Sequence, residues 1–287
     1  MEKLVVKAPA KINLYLRVLG KRPDNFHEIE SLIQAIDLYD EITLEKADHL
    51  DIICSDLSIP SDYTNLAYRA AKLLYENKYI PGAKITLLKN IPSGAGLGGG
   101  SSDAAFVLRG LCSLYSIALG YNQMLELAGR LGSDVPFFLT CGQALARGRG
   151  ELLEEIDLSL NYTILLLSPS LHVSTADVYR AVKNNLTKRS AEALLSNRKY
   201  LSGFIDISQR FHNDLEDIVL AKYPFLDELK RSLLGAGAFY SSMTGSGSSF
   251  FGLFKSDVAI PNELENLKEY GIRFFKCRPI LLPPLLG

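Results

Sequence analysis

Cysteine is scarce and scattered: the 287 residues contain Cys54, Cys112, Cys141 and Cys277, far apart and with no C-x-x-C pair. That spacing excludes both a metal finger and a disulfide framework, and it fits a reducing compartment. No apolar run approaches the roughly 20 residues needed to cross a bilayer. Met1 to Ala10 carries neither an apolar signal core nor an Arg-rich transit segment. The expected location is therefore cytoplasmic, with no membrane partner. An excess of either charge is missing as well. The 31 Lys and Arg residues balance 32 Asp and Glu, giving a net charge of −1, and both signs are interspersed. This argues against nucleic acid or an anionic membrane surface as the main partner and favours a small-molecule ligand. There is no internal repeat and no low-complexity linker. The remaining composition, 47% hydrophobic and 22% charged, is that of a globular protein with enough chain for one large domain or two moderate ones.

What the chain has in unusual density is glycine between Lys89 and Cys112. Lys84 to Leu88 reads as a strand, ended by Asn90 and Pro92. Gly94, Gly96, Gly98, Gly99 and Gly100 then follow within seven residues. Such a cluster costs backbone entropy and is useful where φ turns positive or another group approaches the backbone closely. Ser101, Ser102 and Asp103 are good N-cap and first-turn residues, and Ala104, Ala105, Val107, Leu108, Leu111 and Cys112 recur at helical spacing. A helix start with free N–H groups and a favourable dipole attracts phosphate. With no basic side chain among the loop's glycines, the backbone would do the binding. A plain strand-to-helix turn remains the bland alternative.

Known phosphate loops fit poorly. Gly94, Gly96 and Gly99 satisfy G-x-G-x-x-G, but the acidic residue that a dinucleotide site needs some 20 positions on is missing around Leu119 to Asn122. Gly100 is followed by Ser101 rather than Lys, which excludes a Walker A loop. The protein-kinase H-R-D and D-F-G motifs are absent too.

Along the chain, Leu4 to Ala8 and Ile12 to Leu19 read as strands broken by Pro9. Lys11 and Asn13, two apart, share one face of an extended segment, as a functional pair or as an ordinary solvated edge. Phe26 and His27 follow the turn Gly20 to Asn25. Ser31 to Ile36, Glu41 to Glu45 and Asp51 to Cys54 read as strands of a mixed or antiparallel sheet. Thr64 or Asn65 caps a helix through Tyr75, and Asn122 starts another that ends at Gly132. Asp134, between that helix end and the apolar Val135 to Phe138, is either a cap or a partly desolvated acid–base group. Gln143 to Arg147 and Glu151 to Ile156 form a hairpin. After Ser159 the expected elements are strand Tyr162 to Leu167 and helices at Thr175 to Asn185, Ser190 to Leu195 and Pro224 to Leu234. Strand Phe250 to Phe254, helix Asn262 to Tyr270 and strand Arg273 to Cys277 complete the list. A second glycine-rich run, Met243 to Ser249, is a turn or a second backbone meeting the first at a shared cleft. The apolar tail Pro279 to Leu286, interrupted by prolines, reads as a packed terminal segment.

Three of these stretches together resemble the GHMP kinases. Pro92 to Ser102 matches the family's Pro-x-x-x-Gly-Leu-Gly-Ser/Gly-Ser/Gly motif, Ala8 to Leu14 resembles its first motif and Thr244 to Gly247 its third. The resemblance implies an α+β, two-domain GHMP-kinase fold with mixed sheets and a deep cleft between the domains, divided at 1–158 and 159–287. It also implies an ATP-dependent phosphotransferase with an alcohol acceptor, using Mg²⁺. Within the family, Pro9 to Leu14 with Phe26-His27 and Leu131 to Pro136 is most similar to the kinases that phosphorylate the 2-hydroxyl of a cytidine diphosphate methylerythritol. That places the chain in the non-mevalonate isoprenoid pathway.

Carried over position by position, Lys11 and Asp134 look like the catalytic pair, Asp134 taking the hydroxyl proton and also touching the substrate. Phe26 and His27 resemble the aromatic-His pair on the cytosine, with Phe where tyrosine is usual. Tyr179 resembles the aromatic group on the opposite face, with Asn13 and Thr175 near the substrate. Lys89, Pro92, Ser93, Gly94, Ala95, Gly96, Leu97, Gly98, Gly99, Gly100, Ser101 and Ser102 resemble the ATP-binding stretch, and Ser102 with the phosphates would hold Mg²⁺. A monomer or weak homodimer is expected. The alternatives are a homoserine- or mevalonate-type kinase and a non-catalytic nucleotide-binding regulator, against which the retention of Lys11 and Asp134 speaks.

Overall fold

The computed structural model describes residues 2–156, 161–182, 210–255 and 271–283, with residues 207, 257, 264 and 267. The expected helix Ser190 to Leu195 lies outside the described residues, as do most of Asn262 to Tyr270 and the ends of Thr175 to Asn185 and of the tail.

The fold starts from one long hairpin. Strands β1 (Lys3–Lys21) and β2 (His27–Lys46) pair antiparallel from Lys3 opposite Glu45 to Lys21 opposite His27. The expected breaks within these stretches do not occur. Pro9 stays inside β1 because it stands at a register shift and because β1 pairs with no strand but β2 in this sheet. A missing N–H there costs no ladder bond. The far edge of β2 is shared, with β4 (Ala83–Leu88) along Glu41 to Lys46 and β5 (Gln143–Gly148) along Ile29 to Gln34. Strand β3 (Leu50–Cys54) runs parallel to β4, and β6 (Leu152–Glu155) antiparallel to β5, completing six strands. The second sheet is antiparallel throughout, in the order β10-β7-β9-β8: β7 (Thr163–Ser168), β8 (Tyr240–Met243), β9 (Phe250–Phe254) and β10 (Arg273–Cys277).

Side-chain alternation stacks these sheets between helices. On one face of the first sheet, Ala8, Ile33, Ile42 and Leu44 meet α1 (Leu66–Glu76), α2 (Gly99–Leu114) and α3 (Tyr121–Leu131). On its other face Ile12, Leu14, Leu32 and Ile36 meet Ile164, Leu166, Phe251 and Leu253 of the second sheet. The intervening Leu165, Leu167, Phe250 and Phe254 face away, toward α5 (Glu216–Lys222) and α6 (Leu226–Gly235). A strand buried on both faces has no reason to alternate, which is why Tyr162 to Leu167 reads as one apolar run. The helix at Thr175, α4 (Thr175–Ala181), is one short piece capped by Ser174.

Local chemistry fixes the details. Of the two candidate caps for α1 it is Asn65, whose Oδ1 accepts the Ala67 N–H at 2.9 Å. The tail packs as expected: Ile280 N–H donates to Ala35 O at 3.0 Å and Leu282 N–H to Cys141 O at 2.7 Å. Neither β8 nor α5 carries a sequence signal. Ser241 and Ser242 are polar residues buried in β8; Glu216 Oε2 of α5 accepts from the Ser242 hydroxyl at 2.9 Å and from the Met243 N–H at 2.8 Å, while the Ser241 hydroxyl has no hydrogen-bond partner among the described residues. Among the described residues no helix is long and apolar enough to cross a membrane.

Candidate active site

The glycine loop ends in a helix start that differs from the expected one. Helix α2 begins at Gly99, two residues before Ser101, with Gly98 at φ 71° as its N-cap and no side-chain cap. Ser102 is already inside the first turn, its N–H donating to Gly98 O at 2.9 Å. Ser101, Ser102 and Asp103 therefore do not cap the helix. The physical reason lies with the glycines, which reach the left-handed conformation without a Cβ penalty and let the helix start early. The N–H groups of Gly99, Gly100 and Ser101 consequently have neither an intrahelical nor a side-chain acceptor, a ready anion site.

A single hydroxyl gathers all three loops. Thr244 Oγ1 accepts the Asn13 N–H at 3.0 Å and donates to Gly96 O at 3.1 Å, joining residues from the first, second and third stretches singled out in the sequence. Lys11 N–H donates to Leu97 O at 3.0 Å, and Ser249 N–H to Ala95 O at 3.3 Å. Gly96, at φ 78°, lies so close to Thr244 that a Cβ would overlap the Thr244 carbonyl. Only glycine admits that approach.

These loops line a cleft of about 1300 Å³ to which both halves of the chain contribute. Lys11, Asn13, Phe26, His27, Lys89, Asp134, Thr175 and Tyr179 all line it, as do Pro92, Ser93, Gly94, Ala95, Gly96, Leu97, Gly98, Gly99, Gly100 and Ser101. Ser102 does not; it is fully buried, and its hydroxyl has no hydrogen-bond partner among the described residues.

At the centre, Lys11 is only 4% exposed and its ammonium donates to Asn13 Oδ1. Asn13 is itself fixed, its Nδ2 donating to Ser31 Oγ at 2.8 Å and that hydroxyl to Tyr15 O at 2.7 Å. Burial pushes the Lys11 ammonium below its usual range, and the nearby Asp134 charge opposes that shift. Asp134 follows α3, after Gly132 ends the helix, and stands partly buried against Gly150.

The aromatic end is arranged differently from an open slot. The His27 and Tyr179 rings lie 5.3 Å apart, within the range of a contacting aromatic pair. Phe26 is 52% exposed, and the Arg149 guanidinium sits 4.7 Å from its centroid. Burial, then the Lys21 charge, lowers the His27 pKa. Burial, then the Asp134 charge, raises that of the Tyr179 phenol, which stays protonated. Thr175 Oγ1 lies 2.7 Å from Ser246 Oγ, linking α4 to the third loop.

Residues 65–142 match the family of GHMP kinases N terminal domains and residues 191–273 that of GHMP kinases C terminal domains. A relative from Chlorobium phaeobacteroides, a 4-diphosphocytidyl-2-C-methyl-D-erythritol kinase, is 44% identical over 280 residues, 96% of this chain and 95% of its own. This chain belongs to the GHMP kinases. Another GHMP kinase with the same name, from Citrifermentans bemidjiense, is 42% identical over 263 residues, 90% of this chain and 92% of its own. The crystal structure of a 4-(cytidine 5'-diphospho)-2C-methyl-D-erythritol kinase superposes with a TM-score of 0.81 at 36% identity, over 96% of this chain and 99% of that one. Homoserine kinase from Cytophaga hutchinsonii, 20% identical with a TM-score of 0.74 over 98% and 96% of the two chains, shares the fold.

Behind its glycine loop this GHMP kinase carries an ion cluster with no sequence signature. Lys89 Nζ bridges Asp40 of β2 and Asp103 of α2, the latter at 2.5 Å. Asp40 Oδ1 also accepts the N–H groups of Asn90 at 2.6 Å and Ile91 at 2.9 Å. Lys89 therefore lines the cleft with its ammonium turned to two carboxylates. Burial lowers the Lys89 pKa, but Asp103 and Asp40 together outweigh it and the net direction is up. Burial pushes the Asp103 carboxyl up to about 7, against the pull of Lys89 and with the help of Asp40. A carboxyl whose folded pKa exceeds its unfolded value holds its proton longer when folded, so its contribution to stability falls as pH rises from about 4 to about 7. Asp103→Asn lacks that fall. Its Tm relative to the parent is expected to rise by roughly 2–4 °C or more between pH 5 and pH 8, in matched thermal melts; an unchanged difference refutes the assignment.

Proposed function

We propose that this GHMP kinase transfers the γ-phosphoryl group of ATP to the 2-hydroxyl of 4-diphosphocytidyl-2-C-methyl-D-erythritol, in the non-mevalonate route to isoprenoid precursors. The observation that carries the reading is the placement of Lys11 and Asp134 in one cleft beside an uncapped helix N-terminus, in a chain 44% identical to a kinase of that name. The acceptor hydroxyl attacks the γ-phosphorus as its proton passes to the Asp134 carboxylate. The β–γ bridging bond breaks, and ADP leaves with the electron pair. Lys11, held by Asn13, orients the hydroxyl and offsets charge spreading over the transferred group. The amides of the glycine loop and of Gly99 to Ser101 hold the triphosphate.

Among the described residues no three His, Cys, Asp or Glu side chains gather into a metal site. Mg²⁺ would be carried on the nucleotide's own phosphates, and the Ser102 hydroxyl, buried in the first turn of α2 with no hydrogen-bond partner among the described residues, is the donor the protein would add. When bound, the ion neutralises phosphate charge. The cytidine end of the acceptor lies toward Phe26, His27 and Tyr179, with Thr175 and Asn13 nearer the reacting alcohol. The division at 158 and 159 assigns the glycine loop and the catalytic pair to one domain and α4 with the third loop to the other. A cytoplasmic site of action fits the soluble substrate and the composition.

Pure protein with ATP, Mg²⁺ and the cytidine substrate is expected to form ADP and the 2-phosphate, followed by coupled ADP detection and ³¹P NMR. Absence of the 2-phosphate, or faster turnover of homoserine or mevalonate, overturns the reading.

A further inference from the structure

His172, on the loop between β7 and α4, has no counterpart among the residues singled out in the sequence, yet it lines the cleft beside the glycine loop. Its ring occupies the space a side chain at Gly94 would fill: a Cβ built there would come within 2.8 Å of His172 Cε1 and closer still to Nδ1. Gly94 stands at φ 63°, so both the backbone conformation and the imidazole require glycine at that position. The loop holding His172 is tied on both sides. Ser248 Oγ donates to Leu171 O at 2.5 Å, and Thr175 Oγ1 lies 2.7 Å from Ser246 Oγ. Both tethers run to the third loop, which Thr244 joins to Gly96. The placement of the ring over Gly94 is thus imposed by the same scaffold that shapes the phosphate loop.

The cations around the cleft make the ring's position consequential. Lys89 is consumed by Asp40 and Asp103, Lys11 is bound to Asn13, and Arg149 lies over Phe26. Arg180 is paired with Asp177 at 2.8 Å. The His172 ring, exposed on the cleft side, makes no hydrogen bond or ion pair with another described residue. An imidazole presents an N–H donor in either charge state. A triphosphate lying along the loop amides therefore meets, besides the loop's own serine hydroxyls, a ring donor placed against Gly94 that has no partner among the described residues.

We propose that His172 is a nucleotide-contacting residue, donating a hydrogen bond to an ATP phosphate oxygen at the Gly94 end of the glycine loop, whereas Lys11 stands against Gly98. The inference rests on the kinase reading above, and the test separates the two. His172→Phe keeps a ring packed on Gly94 and removes the donor, whereas His172→Gln restores an N–H. Hydrogen bonds to charged groups are strong enough that His172→Phe is expected to raise the KM for ATP by roughly tenfold or more. The KM for the acceptor should stay within about twofold, the Tm should be unchanged, and His172→Gln should recover part of the loss. Calorimetric titration with a non-hydrolysable ATP analogue, without acceptor, should show the same loss for His172→Phe. If the parent enzyme turns over and a folded His172→Phe protein keeps its parent affinity for the analogue, the inference fails alone. Equal rises in both KM values with a lowered Tm, unrelieved by glutamine, make His172 a packing residue and also overturn it. A parent enzyme that binds the analogue but does not phosphorylate the acceptor refutes the kinase reading and leaves the nucleotide contact measurable.

Discussion

Asp134→Asn is expected to lower kcat by about 10²- to 10⁴-fold, the share a positioned general base contributes to proton transfer. The amide keeps the size and hydrogen-bonding reach of the carboxylate but cannot take the hydroxyl proton. A second effect acts in the same direction. Burial already disfavours the Lys11 ammonium and the Asp134 charge counteracts it, so removing that charge weakens the cation proposed to orient the acceptor. In the proposed reading the nucleotide is held chiefly by backbone amides from Gly94 to Ser101, which this substitution does not touch. ATP affinity should therefore stay within a few-fold, and the Tm should change little because Asp134 lies at a helix exit rather than in the core. Steady-state kinetics with both substrates varied, together with direct nucleotide binding, test this. A variant retaining a tenth of the parent kcat removes Asp134 from the proton-transfer role.

Lys89→Met is expected to destabilise the fold by about 3–5 kcal/mol, the cost of leaving a buried charge without its partner. Methionine fills nearly the same volume, so no cavity accounts for the loss. What it leaves is Asp40 and Asp103 facing each other in a site where the Lys89 side chain is 4% exposed and the Asp40 side chain fully enclosed. Asp40 also receives the Asn90 and Ile91 N–H groups at the entrance of the glycine loop, so loss of its Lys89 partner is felt at the proposed phosphate site. A Tm lower by roughly 10 °C and a weaker ATP affinity should appear together. Adding Asp103→Asn to Lys89→Met removes one of the two carboxylates and should return part of the stability. If the double variant is no better than Lys89→Met alone, the loss has another cause.

Much of the candidate cleft is legible because its pattern is local. The glycine density from Gly94 to Gly100 announces a loop that something approaches, and the apolar spacing from Ala104 to Cys112 announces the helix behind it. The unbroken runs Tyr162 to Leu167 and Phe250 to Phe254 announce strands buried on both faces. Where the local pattern misleads, the deciding neighbour is in another strand or helix or, at the start of α2, in the glycines just before it. Pro9 did not end β1 because nothing but β2 pairs with that strand. Ser101 to Asp103 did not cap α2 because Gly98 turned the backbone first. The Ser-rich β8 does not read as a strand because the partner that lets Ser242 be buried there, Glu216, belongs to another element.

The sequence by itself determined most of the elements, though not β8 or α5, and the three stretches that mark the family, since these depend on residues within a few positions of each other. The tertiary structure alone decided that Asn13 and Thr244, 231 positions apart, share a hydrogen bond. It alone decided that Lys89 turns to two carboxylates and that His172 stands over Gly94. Spacing along a chain constrains side chains only across a turn of helix or a pair of strands, whereas an active-site cleft is assembled from loops that packing of the sheets brings together.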